Sequence, residues 1–119
     1  MRTTHNIRSK NWFKGNFCEV FHRTINELTG DFIPDHYTAV AIVPVHENLS
    51  LDEWGQVLEY TFCQTQNDME YPGYTGSWRD NPRVEHSVEP NSEGRLWSRS
   101  TSAGDLIRLS DGRWYLVCP

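Results

Sequence analysis

Arg99-Ser-Thr-Ser-Ala-Gly-Asp105-Leu-Ile-Arg-Leu109-Ser-Asp-Gly112-Arg-Trp114-Tyr-Leu-Val117-Cys-Pro119 reads as a polar loop, a turn, a strand, a tight turn and a second strand. Leu106–Leu109 and Trp114–Val117 are short apolar runs that flank Ser-Asp-Gly-Arg. Asp111-Gly112 is a strong hairpin signal because both positions tolerate a positive φ. Gly104-Asp105 lets the chain turn sharply into the first of these strands. The stretch therefore specifies a β-hairpin within a sheet.

Working upstream, Ser50-Leu-Asp-Glu53 has the form of a capping box, in which Ser50 and Glu53 satisfy each other's free N–H groups. Leu51, Trp54, Leu58 and Phe62 follow at helical spacing, with Val57 and Thr61 flanking that face, which predicts a helix from Leu51 to about Gln66 with this stripe, Trp54 included, on the core. Gly55 costs about 1 kcal/mol there relative to Ala, so close packing on the sheet is its expected role. Tyr37 to Val45 is rich in β-branched residues and reads as a buried central strand. Phe17–Thr24 alternates as a further strand, and residues 30–35 read as a loop closed by Pro34. Residues 67–95 are punctuated by Gly, Pro and Asn, with a short strand expected near Val84–Val88. The expected fold class is α+β: one small domain with a four- to five-stranded, mostly antiparallel sheet and one main helix packed on it. Residues 1–15 are expected to form a basic polar lead-in, a mobile and loosely attached arm, and residues 16–119 the domain.

A chain of 119 residues is long enough to bury a core without staples. Its 13% aromatic content, with five Trp, argues against disorder. The net charge of -5 is unevenly spread. Arg2, Arg8, Lys10, Lys14 and Arg23 face only Glu19 in residues 1–23, whereas residues 24–78 hold nine carboxylates and neither Lys nor Arg. This acidic middle disfavours nucleic acid as a partner, since phosphate binding needs cations. Cys18, Cys63 and Cys118 form no CxxC pair, which suggests reduced thiols and a cytoplasmic protein. No apolar run approaches membrane-spanning length, and no membrane association is expected.

Asn67 at the helix exit, Ser77-Trp78, Asn81-Pro82 and Arg99-Ser-Thr-Ser-Ala-Gly-Asp105 together resemble the YodL-like domain and related small uncharacterised prokaryotic proteins. Arg99 to Arg113 carries the specific part of the likeness. Family members often run on to a Gly-Phe or Gly-Trp ending that is missing here, and the lead-in has no counterpart. The resemblance implies a setting on mobile elements and a link to countering host defences. It supplies no catalytic residues.

The candidate binding residues are Trp78, Arg79, Trp97, Arg99, Ser100, Ser102 and Asp105. Arg99 and the hydroxyls around the Gly104 turn could present donors to an anion. The plainer alternative is that Ser100, Thr101 and Ser102 satisfy backbone groups while Asp105 pins the strand. Arginine beside Trp78 and Trp97 could stack a base or anchor an interface, or simply cover core tryptophans. Five histidines at scattered spacing predict no metal site, and His22, His46 and Cys18 would have to converge to make one. No cofactor is expected. Cys63 could act as a nucleophile only beside a base or a positive field, and Asp52, Glu53 and Glu59 are explained by capping and a solvated helix face. The expected function is a small interaction module that binds another protein. The alternative is a sheet domain that takes a small molecule or nucleic acid at the Arg99–Asp105 loop.

Overall fold

The computed structural model describes residues 2–4, 15–45, 49–67, 70–71, 74–75, 77–86 and 99–119. In chain order these form β1 (Arg2–Thr4), β2 (Phe17–Ile25), β3 (Phe32–Pro44), a 3-10 turn (Leu51–Glu53) and α1 (Trp54–Gln64). There follow β4 (Glu70–Tyr71), β5 (Tyr74–Thr75), a second 3-10 turn (Trp78–Asp80), β6 (Glu85–His86), β7 (Leu106–Leu109) and β8 (Trp114–Leu116). The main sheet runs β1-β3-β2-β7-β8, and β6 shares the outer side of β3 with β1. All its pairings are antiparallel except β1 with β3. β4 and β5 make a separate two-stranded ribbon. The architecture is α+β, as the residue patterns imply, and the short strands on β3 make the sheet six-stranded.

Alternation along the strands separates two faces. Cys18, Val20, Ala41, Val43, Ile107 and Leu109 face α1 and form the core with Val57, Trp78 and Val84. Glu19, Phe21 and Ile42 point the other way and are also fully buried. There Glu19 pairs with Arg108 at 3.0 Å, and Phe21 meets the Trp114 ring at a centroid distance of 4.9 Å.

The structure departs from the sequence-based expectation at four places. Pro34 does not close a loop but lies inside β3. Tyr37 pairs with Arg23 and Phe32 with Ile25, so residues 33–36 bulge opposite Thr24, where a missing N–H breaks no ladder. Arg2–Thr4 of the lead-in pair in parallel with His36–Thr38. On α1 it is Val57, Thr61 and Gln64 that are buried, while Trp54 is 49% exposed and stacks on Tyr115 with ring centroids 5.5 Å apart. Gly55 touches no sheet, since a Cβ added there would meet nothing within 4 Å. The helix is thus rolled relative to its apolar stripe. Trp54, Leu58 and Phe62 line a groove of about 300 Å³ beside β8.

Candidate functional site

The Arg99–Asp105 loop is drawn inward. Asp105 is fully buried and takes both ends of the Arg99 fork, Nη1 to Oδ2 and Nη2 to Oδ1, at 2.6 Å each. It also accepts the backbone N–H of Ser102 at 2.8 Å and that of Arg23 at 2.9 Å. Arg99 Nη1 donates further to the Ser100 carbonyl and the Ser102 hydroxyl, both at 3.0 Å. Burial alone would raise the Asp105 carboxyl. The hydrogen bonds from Arg99, the nearness of His22 and the two backbone donors outweigh it and hold the group below its ordinary value. Gly104 has φ +92, which favours glycine, and a Cβ there would sit 2.7 Å from Arg23 Nε, so any other residue would also have to displace the Arg23 side chain.

The same loop is fastened to the helix exit. Thr101 N–H donates to the Thr65 carbonyl at 3.1 Å, and the two threonine hydroxyls are 2.7 Å apart. Gln66 Nε2 reaches the Thr101 carbonyl at 2.9 Å, and Asn67 N–H donates to Ser100 Oγ at 2.7 Å. Trp78 is fully buried. Its indole N–H donates to the Arg99 carbonyl at 2.7 Å and its backbone N–H to Asn67 Oδ1 at 3.0 Å. Asn81 Nδ2 bonds the carbonyl and the side-chain oxygen of Gln64. Of the sequence-derived candidates, Trp78, Arg99, Ser100, Ser102 and Asp105 therefore meet in one network. Arg79 lies beside Asp80, Nε to Oδ1 3.8 Å. Trp97 lies outside the described residues.

His22 joins this network although no motif marks it. Its Nε2 is 2.9 Å from Thr101 Oγ1 and 4.0 Å from Asp105 Oδ2, and its ring meets Trp78 edge-on at 6.0 Å. Burial lowers its pKa to about 4; Asp105 raises it, without offsetting the burial, and Arg99 adds to the lowering. The available sequence signal was parity: His22 follows Cys18 and Val20 on the core face, and a buried imidazole needs a partner.

The His22–Thr101 contact has the length of a base–nucleophile pair, but Asp105 approaches the same ring nitrogen rather than the opposite one. The Thr101 hydroxyl is buried and shared with Thr65. Cys63 is also poorly suited to attack: partial burial and then the adjacent Glu59 carboxylate raise its thiol pKa. Burial pushes Cys18 up to about 11, against the Thr61 hydrogen bond, and Asp111 raises it further. Among the described residues no three His, Cys, Asp or Glu side chains gather into a metal site, and His46 falls outside them. No helix among the described residues is long and apolar enough to cross a membrane.

The outward-facing surface is elsewhere. The β2–β3 hairpin ends in a turn tied by Asn26, whose Oδ1 accepts Leu28 N–H at 2.9 Å and whose N–H donates to the Asp31 carbonyl at 2.8 Å. This turn holds Leu28 95% exposed, next to exposed Ile25, Phe32 and Ile33. The Arg23 guanidinium lies 3.7 Å over the Phe32 ring and donates to the Ala103 carbonyl, so the hairpin is braced against the closing loop. Glu27 and Asp31 lie in the same turn as Leu28, both exposed, and Asp35 follows in β3. The chain matches no protein-family model, no curated protein and no solved structure.

Proposed function

We propose that the protein acts by binding another protein, one that presents an apolar recess rimmed by Lys or Arg, through the end of the β2–β3 hairpin. The observation that supports this reading is the pairing of an almost fully exposed Leu28, on a turn fixed by Asn26, with the exposed Glu27 and Asp31 of the same turn. A leucine held out in a preformed turn loses little freedom on docking, and the carboxylates around it steer a basic partner and set its orientation. The Arg99–Asp105 loop has the supporting part in this reading. It braces the hairpin through Arg23 and leaves the Arg99 fork occupied by Asp105. The setting on a mobile element implied by the YodL-like resemblance belongs to the same proposal.

The test is retention of proteins from a lysate of the source organism on immobilised wild-type protein and on a Glu27→Lys, Leu28→Ser, Asp31→Lys variant that melts normally. The expected result is a partner held by wild type, released as salt rises and lost by the variant. A partner held equally by both would remove the hairpin from the mechanism. Retention that ignores salt would remove its electrostatic part.

A further inference from the structure

We infer that β8 is a self-association edge, through which two copies of this chain join their sheets antiparallel about a two-fold axis at Tyr115. This goes beyond the hairpin reading and does not depend on it.

The argument begins with which backbone groups β8 leaves over. Leu109 N–H donates to the Arg113 carbonyl, Val117 N–H to the Asp105 carbonyl and Gly104 N–H to the Val117 carbonyl, each at 2.8 Å. Tyr115 pairs with Ile107 between them. Positions 113, 115 and 117 therefore face β7, and the N–H and C=O groups of Trp114 and Leu116 face outward. Among the described residues no strand lies beyond β8. The Leu116 carbonyl receives only the Cys118 thiol, at 3.7 Å, a weak contact that a strand could replace. Residues 114–116 carry neither a charge nor a proline to blunt this edge.

Antiparallel pairing of β8 with its own copy, centred on Tyr115, sets Trp114 opposite Leu116 of the second copy and Leu116 opposite Trp114. Both are outward positions, so the register makes four main-chain hydrogen bonds by symmetry. On the face away from α1 it lays Trp114, 40% exposed, against Leu116, 58% exposed. These side chains otherwise meet water beside each other on one edge.

The α1 face fits the same register. Its groove is walled by the exposed Trp54 and the half-buried Leu58 and Phe62, and Glu59 is the charged residue lining it. Opposite Val117, which lines the same groove as Glu59, the register brings Arg113 of the second copy. Within its own chain Arg113 is held by Asp111 at 2.8 Å and by the Leu51 carbonyl at 3.0 Å. Both Arg113 and Asp111 are exposed, so exchanging that pair for one with Glu59 costs little. Two such pairs form, one on each side of the axis.

The test is sedimentation velocity on the intact chain from about 1 µM to about 1 mM, which detects dissociation constants across that range. A reversible monomer–dimer equilibrium is expected. Leu116→Pro removes the outward-facing N–H and the leucine side chain set against Trp114 while leaving the β7 pairing intact, so it is expected to give a monomer with wild-type circular dichroism. Glu59→Arg and Arg113→Glu are each expected to weaken the dimer about tenfold, and the two together to restore it. A monomer at every concentration would overturn the proposal, including in the case where a strand of another protein takes this edge. A dimer unaffected by Leu116→Pro would overturn it too, and failure of the paired charge reversal to restore association would rule out this register.

Discussion

Asp105 shows how a polar motif can be legible while its role stays hidden. The Arg-Ser-Thr-Ser-Ala-Gly-Asp run can be recognised as a turn leading into a strand, yet the run itself does not say whether its donors point at a ligand or at the protein. That depends on Arg23 from β2 and on Thr65 and Asn67 from the helix exit, two other places in the chain that converge on the loop. The consequence is energetic. Asp105→Ala would leave the Arg99 fork and the Ser102 and Arg23 N–H groups without their acceptor in a closed site. Removing one member of a buried ion pair typically costs about 3–5 kcal/mol, a large part of the 5–15 kcal/mol that holds a domain together. Urea unfolding followed by tryptophan fluorescence measures it. A loss under about 1 kcal/mol would mean that water replaces the carboxylate easily and that the loop is more open than its geometry shows.

At the scale of elements, the closing hairpin was readable because two neighbouring residues tolerant of positive φ are bracketed by apolar runs, and Gly112 does take φ +99. The helix start was readable for a similar local reason: Glu53 Oε2 accepts Ser50 N–H at 3.3 Å, the returning half of the capping box. The rotation of α1 was not readable. Periodicity marks an apolar stripe, but it cannot say which flank of that stripe the sheet will cover. Here Val57 takes the centre, and Trp54, Leu58 and Phe62 are left on the side of β8, where the sheet ends. Gly55 was misread with them. Its site has open space and an ordinary helical φ, so Gly55→Ala should stabilise the protein by about 0.5–1 kcal/mol, through helix propensity and a less flexible unfolded chain. A rise in the urea midpoint with an unchanged slope is the expected signature. A fall would mean that the groove needs the glycine for a close approach that the isolated chain does not make.

Across the whole molecule, β2 pairs with β7 from the far end of the chain, Cys18 against Leu109 and Phe21 against Leu106. No window of sequence contains that pairing, which is why strand order and the partners of His22 had to come from the structure. The same closure couples stability to pH. His22 sits on β2, Thr101 and Asp105 on the closing loop and Thr65 at the helix exit, so one imidazole reports on the junction of all three. Its folded pKa of about 4 lies below the ordinary value near 6.5, so between these values the unfolded chain binds the proton and the native state does not. Its contribution is therefore complete above about pH 6.5 and disappears as the pH falls towards 4, an effect of about 3 kcal/mol. Asp105 acts in the same direction at lower pH: its folded pKa is depressed, and its contribution is lost as the carboxylate protonates. Unfolding free energies at about pH 7.5 and about pH 4.5 should differ by more for wild type than for His22→Gln, which keeps a hydrogen-bonding partner for Thr101 but cannot titrate. Equal differences in the two proteins would show that His22 gains its proton without opening the junction, and would place the acid sensitivity on the carboxylates alone.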